Sequence, residues 1–121
     1  MDKMVRTGLL YDFYGGLLTE KQRRVMELYY LENWSLAEIA DDGEVSKQAV
    51  YDLLQRTERI IEDFEQKLGL LKRFLNQQMV LEDISAKLQR VLASLPENNP
   101  NYKVLAGINQ QIAELSEAEM D

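Results

Sequence analysis

The sequence predicts an all-α fold: a helix-turn-helix domain, then a long heptad-patterned helix and a terminal helix. Three features carry that reading. Two capping boxes, Thr19-Glu20-Lys21-Gln22 and Ser35-Leu36-Ala37-Glu38, open successive helices. Ser46 is a good N-cap for a third helix, whose apolar residues recur with the 3.6-residue period. From Leu70 the pattern changes to alternating steps of four and three, the spacing of a coiled-coil seam.

Taken in order, Leu9 to Leu18 is apolar and aromatic (Leu10, Tyr11, Phe13, Tyr14, Leu17, Leu18), interrupted by Gly15 and Gly16. A short helix or turn capping the domain is expected there. Thr19 opens the first strong helix, with Val25, Met26, Leu28, Tyr29 and Leu31 as its apolar face. Asn33 and Trp34 interrupt it. The short helix after Ser35 turns Leu36, Ile39 and Ala40 inward, and Asp41 to Glu44 is read as the turn. Such turns commonly carry Leu-Gly where this chain has Gly43-Glu44. Gly43 is therefore expected to supply a positive φ one position early and to distort the turn. A short helix, a tight turn and a longer helix make the helix-turn-helix plan, in which the helix after the turn enters the DNA major groove.

Stepping 100° per residue from Ser46 places Val50, Leu53, Leu54, Thr57, Ile60, Ile61 and Phe64 on an inner face. Gln48, Tyr51, Asp52, Gln55, Glu58, Arg59 and Glu62 fall outside, with Lys47 at the edge. Candidate base readers are Lys47, Gln48, Tyr51 and Gln55, because Gln pairs bidentately with adenine and Lys reaches guanine. Arg56 and Arg59 are candidate phosphate contacts. Asp52, Glu58 and Glu62 oppose them. The bland alternative is a solvated helix face of mixed charge.

The seam runs through Leu70, Phe74, Gln77, Leu81, Ile84, Leu88, Val91 and Leu95, with Gln77 its polar member. Pro96 and Pro100 bracket a loop, and a last helix repeats the spacing with Leu105, Ile108, Ile112 and Leu115. The seam pairs with that last helix, with a second chain, or with both. A homodimer using Leu70, Phe74, Leu81, Ile84, Leu88, Val91 and Leu95 is expected. The tail Ser116 to Asp121 reads as acidic and frayed. The domains are residues 1–68, the helix-turn-helix, and residues 69–121, a helical extension for dimerisation or interaction.

Composition limits the chemistry. The 121 residues carry no cysteine and no histidine, which removes thiolate chemistry and the commonest general base and metal ligand. No catalytic residue, metal or cofactor is expected. No apolar run of transmembrane length and no signal-type start is seen, so the cytoplasm is the expected compartment, without membrane insertion. The net charge of −7 counts against strong non-specific nucleic-acid affinity, which comes from neutralising phosphates. Residues 1–68 hold 14 acids and 9 bases, a net of −5, so the deficit is greater in the helix-turn-helix half.

The segment from Leu18 to Leu68 resembles region 4 of bacterial sigma factors, which reads promoter DNA. It is closer to the bacterial helix-turn-helix family called YlxM. The residues LLTEKQ, LYYLENWSLAEIAD, VSKQAVYDLLQRTE and the following E-x-KL carry that likeness, across roughly residues 8 to 75. The resemblance implies a non-enzymatic regulatory protein that binds DNA or RNA, with Ser46 to Tyr51 as the carried-over positions. Members of that family are typically encoded beside the signal recognition particle GTPase. The resemblance thus also implies a role in that targeting pathway, with particle components as partners. The alternative is an accessory factor that binds protein, using its acidic surface, and does not bind DNA.

Overall fold

A computed structural model describes residues 1–118, and those residues contain six helices: α1 (Lys3–Tyr14), α2 (Glu20–Met26), α3 (Leu36–Gly43), α4 (Lys47–Leu68), α5 (Leu70–Ser94) and α6 (Tyr102–Ala118). The all-α, helix-turn-helix architecture expected from the sequence is what forms. The chain divides into two compact units, Met1–Leu71 and the segment beginning at Lys72.

The predicted starts hold at the level of single hydrogen bonds. Thr19 Oγ1 accepts from the Gln22 N–H at 3.2 Å, while the Thr19 N–H donates to Gln22 Oε1 at 3.0 Å. Ser35 and Glu38 repeat the exchange at 3.1 and 3.0 Å, and that contact with the Ser35 backbone holds the Glu38 carboxyl below its ordinary range. Ser46 Oγ accepts from the Ala49 N–H at 3.0 Å.

Three local details differ from expectation. The segment expected to be a short helix or turn is a twelve-residue helix, α1, followed by a 3₁₀ turn at Gly15–Leu17. A Cβ at Gly15 would lie 3.0 Å from the Tyr11 ring, so a larger residue there would need that ring to shift. Next, α2 does not stop at Met26. It widens through Glu27–Leu31 into a π turn, with the Glu32 N–H donating to the Glu27 carbonyl at 2.9 Å. Asn33, at φ 63°, then ends it, and the Trp34 N–H closes on the Leu28 carbonyl at 2.9 Å. Finally, the turn expected over Asp41 to Glu44 lies later. Helix α3 continues through Gly43, and Glu44 takes the left-handed conformation at φ 55°. Gly43 is thus helical, and a residue with a Cβ occupies the position that glycine would fill without strain.

The core of the first unit is built from Leu10, Tyr14, Leu18, Val25, Met26, Ile39, Ala40, Val50, Leu54, Ile61 and Leu71, all buried. Helix α4 runs through the middle, and the inner face predicted for it contributes four buried residues: Val50, Leu54, Thr57 and Ile61. The Thr57 hydroxyl donates to the Leu53 carbonyl at 2.7 Å, so its burial leaves no orphan. Tyr14 is fully buried and stacks on Phe64 with ring centroids 5.9 Å apart. Its hydroxyl donates to Glu65 Oε1 at 2.6 Å and accepts from the Leu70 N–H at 3.1 Å. The same Glu65 oxygen accepts from the Leu71 N–H at 3.0 Å. Two orphan donors at the start of α5 are thereby satisfied, just past the left-handed Gly69 that ends α4.

The second unit is a two-helix hairpin, in which α5 continues past Leu71 and α6 returns after the Pro96–Pro100 loop. Ser85 Oγ lies 3.0 Å from Asn109 Oδ1, and Gln78 Nε2 donates to the Ser116 carbonyl at 3.3 Å. Phe74, Leu81, Leu88 and Leu95 of the predicted seam are half-buried, while Ile84 and Val91 remain exposed. The part of the acidic tail at residues 119–121 lies outside the described residues.

Candidate nucleic-acid interface

Helix α4 is positioned by its neighbours before it can meet a ligand. Ser46 starts it, α3 packs on its first turns, and α1 and α2 hold its flanks. Lys47, Gln48, Tyr51, Arg56 and Arg59 are exposed and Gln55 is half-buried, so all six sequence-selected residues reach the surface. They do not form one strip. Lys47 and Arg56 are nine positions apart, which turns them about 180° from one another around the helix. Tyr51 and Gln55 line a groove with Met4, Tyr29 and Leu36 on one flank. Arg56 lies on the opposite flank, with Lys21 and Arg24 at the rim of an apolar cleft floored by Val25, Ile39 and Leu53. Gln48, Asp52 and Arg59 occupy the outward ridge between.

Ion pairing redistributes the charges the sequence sets against each other. Glu58 accepts from the Tyr30 hydroxyl and lies 3.8 Å from Lys3 Nζ. Glu62 receives both Arg6 Nε, at 3.1 Å, and Arg6 Nη2, at 3.0 Å. That bidentate contact raises the Arg6 pKa further above its ordinary value. Two of the three carboxylates expected to repel phosphate are thus occupied by cations from α1. The third, Asp52, accepts from Gln48 Nε2 at 2.9 Å, turning that candidate reader along the helix surface. Lys47, Arg56 and Arg59 take part in no ion pair among the described residues. The remaining opposition sits on α3 and the turn, where Glu38, Asp41, Asp42 and Glu44 are exposed and Arg24 engages Asp42 at 2.9 Å.

Sequence reasoning missed Lys3, Arg6 and Tyr30. Their partners lie 55, 56 and 28 positions away, and no local periodicity links residues so distant. The same architecture keeps three tyrosines protonated to higher pH. Burial, then the hydrogen bond to Glu27 at 2.5 Å, pushes the Tyr11 hydroxyl up to about 12. Burial followed by a glutamate partner raises Tyr14 and Tyr30 as well. No helix among the described residues is long and apolar enough to cross a membrane.

Comparison with known proteins agrees with this architecture. The profile of the family described as "Putative helix-turn-helix protein, YlxM / p13 like" matches residues 1–97. A UPF0122 protein of Halalkalibacterium halodurans is 46% identical over 94 residues, covering 78% of this chain and 86% of the relative. One from Geobacillus kaustophilus is 48% identical over 90 residues, 74% of this chain and 82% of the relative. A third, from Anoxybacillus flavithermus, is 43% identical over 115 residues, 95% and 98% of the two chains.

Proposed function

Because the chain belongs to the YlxM / p13-like helix-turn-helix family, we propose that it is a non-enzymatic regulatory protein that binds nucleic acid through α4. One observation carries the reading. The outward side of α4 lies at the surface behind a helix-turn-helix, with Lys47, Arg56 and Arg59 in no ion pair among the described residues while α1 occupies Glu58 and Glu62. Lys47, Gln48, Tyr51 and Gln55 face the bases, and Arg56 and Arg59 hold phosphates. The ligand is DNA or RNA, the compartment the cytoplasm, and the setting the signal recognition particle pathway.

Binding is modest and salt-sensitive. Each phosphate neutralised contributes about −0.9 to the slope of log K against log salt on duplex DNA. Three cations per chain correspond to a slope of roughly −3. The test is a titration of the Lys47→Glu, Arg59→Glu double variant beside a thermal melt. Both side chains point outward, so the melt should match wild type while binding is lost. A variant that melts like wild type and binds equally well removes α4 as the reader.

The exposed acidic group on α3 and its turn favours a second reading. Glu38, Asp41, Asp42 and Glu44 offer a surface to a basic protein of the targeting machinery. Replacing Glu38, Asp41 and Glu44 by Lys strengthens nucleic-acid binding under the first reading. It abolishes capture of a basic partner under the second.

A further inference from the structure

We propose that one side of the α5–α6 hairpin is the face through which two copies of this chain pair, forming a four-helix bundle. The face is distinct from α4, so the inference stands apart from the nucleic-acid reading.

The hairpin lacks a closed interior. No described residue from Lys72 to Glu117 is fully buried. On α5 the apolar arc is wider than α6 can cover. Leu81, Leu88 and Leu92 turn towards α6, whereas Val80, Ile84 and Val91 are 57%, 43% and 47% exposed. On α6 the same division appears. Leu105 and Ile112 are half-buried, and Val104, Ile108 and Leu115 are 62%, 40% and 50% exposed. The two uncovered stripes lie on the same side, because Leu115 of α6 shares a shallow cavity with Gln77, Val80 and Leu81 of α5. One continuous apolar face results.

Size and charge choose the occupant. Six large side chains exposed to this degree leave on the order of 500 Å² of apolar surface, the upper range for the largest patch on a monomer. Two facing copies remove about twice that, close to the roughly 1,200 Å² at which specific interfaces begin. Residues 72–121 hold seven acids and five bases, a net of only −2, and the uncovered stripe itself, Val80, Ile84, Val91, Val104, Ile108 and Leu115, carries no charge. A neutral, apolar face meets a copy of itself without repulsion. It offers no charge to an anionic membrane, a nucleic acid or a basic protein. The predicted heptad seam is therefore divided: Leu81, Leu88 and Leu95 are half-buried within the hairpin, and Ile84 and Val91 serve the partner.

Sedimentation equilibrium on the full chain at micromolar concentration should show a dimer. The Ile84→Glu, Ile108→Glu variant should raise the dissociation constant by at least about 100-fold while keeping wild-type helicity. Because the chain has no cysteine, single replacements give a second readout. Ile84→Cys or Ile108→Cys should crosslink into dimers on mild oxidation, and Glu82→Cys, on the far side of α5, should not. A wild-type chain that stays monomeric overturns the proposal, including the case in which the chain covers this face itself. So does crosslinking that is independent of position.

Discussion

The two units are both helical, yet they bury apolar surface differently. In Met1–Leu71 four helices surround a shared centre, and Tyr14, Ile61 and Leu71 are shut off from solvent completely. In the hairpin two helices touch along one line, and that leaves every apolar side chain described from Lys72 to Glu117 at least partly wet. The difference comes from geometry and not from apolar content. A helix needs neighbours on more than one side to close its apolar arc, and a lone pair supplies one each. Polar contacts follow the same division. Those of the first unit reach across long sequence separations, as in Arg6–Glu62 and Tyr14–Glu65, and fix one arrangement. Within the hairpin, Ser85–Asn109 spans 24 positions.

The sharpest test of this contrast is a matched pair of charges. Val50→Asp places a carboxylate where the side chain is 3% exposed, and should cost more than about 4 kcal/mol and abolish the cooperative melt. Val91→Asp, on a residue 47% exposed, should leave helicity intact and act only on association. If both variants unfold alike by circular dichroism, the two units are not different in kind.

A smaller loss is expected from Tyr14→Phe. Removing the hydroxyl leaves Glu65 and the Leu70 N–H without a shared partner, and should cost about 1–3 kcal/mol in a denaturant titration. Alkali tests the same contacts by another route. Tyr11, Tyr14 and Tyr30 all have folded pKa values above the unfolded value of about 10. A group raised in this way stabilises the fold fully below its unfolded pKa. That contribution is lost as pH rises through the folded value, about 12 for Tyr11. Tyrosinate absorbance should therefore show some of the six tyrosines titrating late, with stability falling between about pH 10 and 12. The smallest effect expected is a gain. Glu44→Gly relieves the left-handed strain at φ 55° and should stabilise the first unit by about 1 kcal/mol.

The legible parts of the fold were those fixed by neighbours in sequence. Thr19, Ser35 and Ser46 announce helices because an N-cap bonds a donor three residues on, and the inner face of α4 follows from 3.6-residue periodicity alone. The extent of α1 was not legible. Its ties through Lys3, Arg6 and Tyr14 depend on carboxylates more than fifty residues away. The π turn at Glu27–Leu31 has no sequence signature either, and its Tyr30 reaches a partner 28 positions away. Gly43 misled because glycine tolerates a positive φ but does not demand one; α3 simply continued through it. For the candidate interface, the wheel of α4 named the outward residues. It missed that α1 would cover two of the three opposing acids.

Glu58, Glu62 and Glu65 lie about one turn apart on α4, each held by a residue from another helix. A rod clamped at three successive turns has few rotational and bending states left to lose. Whatever ligand meets its exposed turns therefore captures a surface already ordered, and the entropic cost of association falls mainly on the ligand. Association should then proceed in a single kinetic step, set by collision frequency and charge steering, with no slow rearrangement preceding the stable complex.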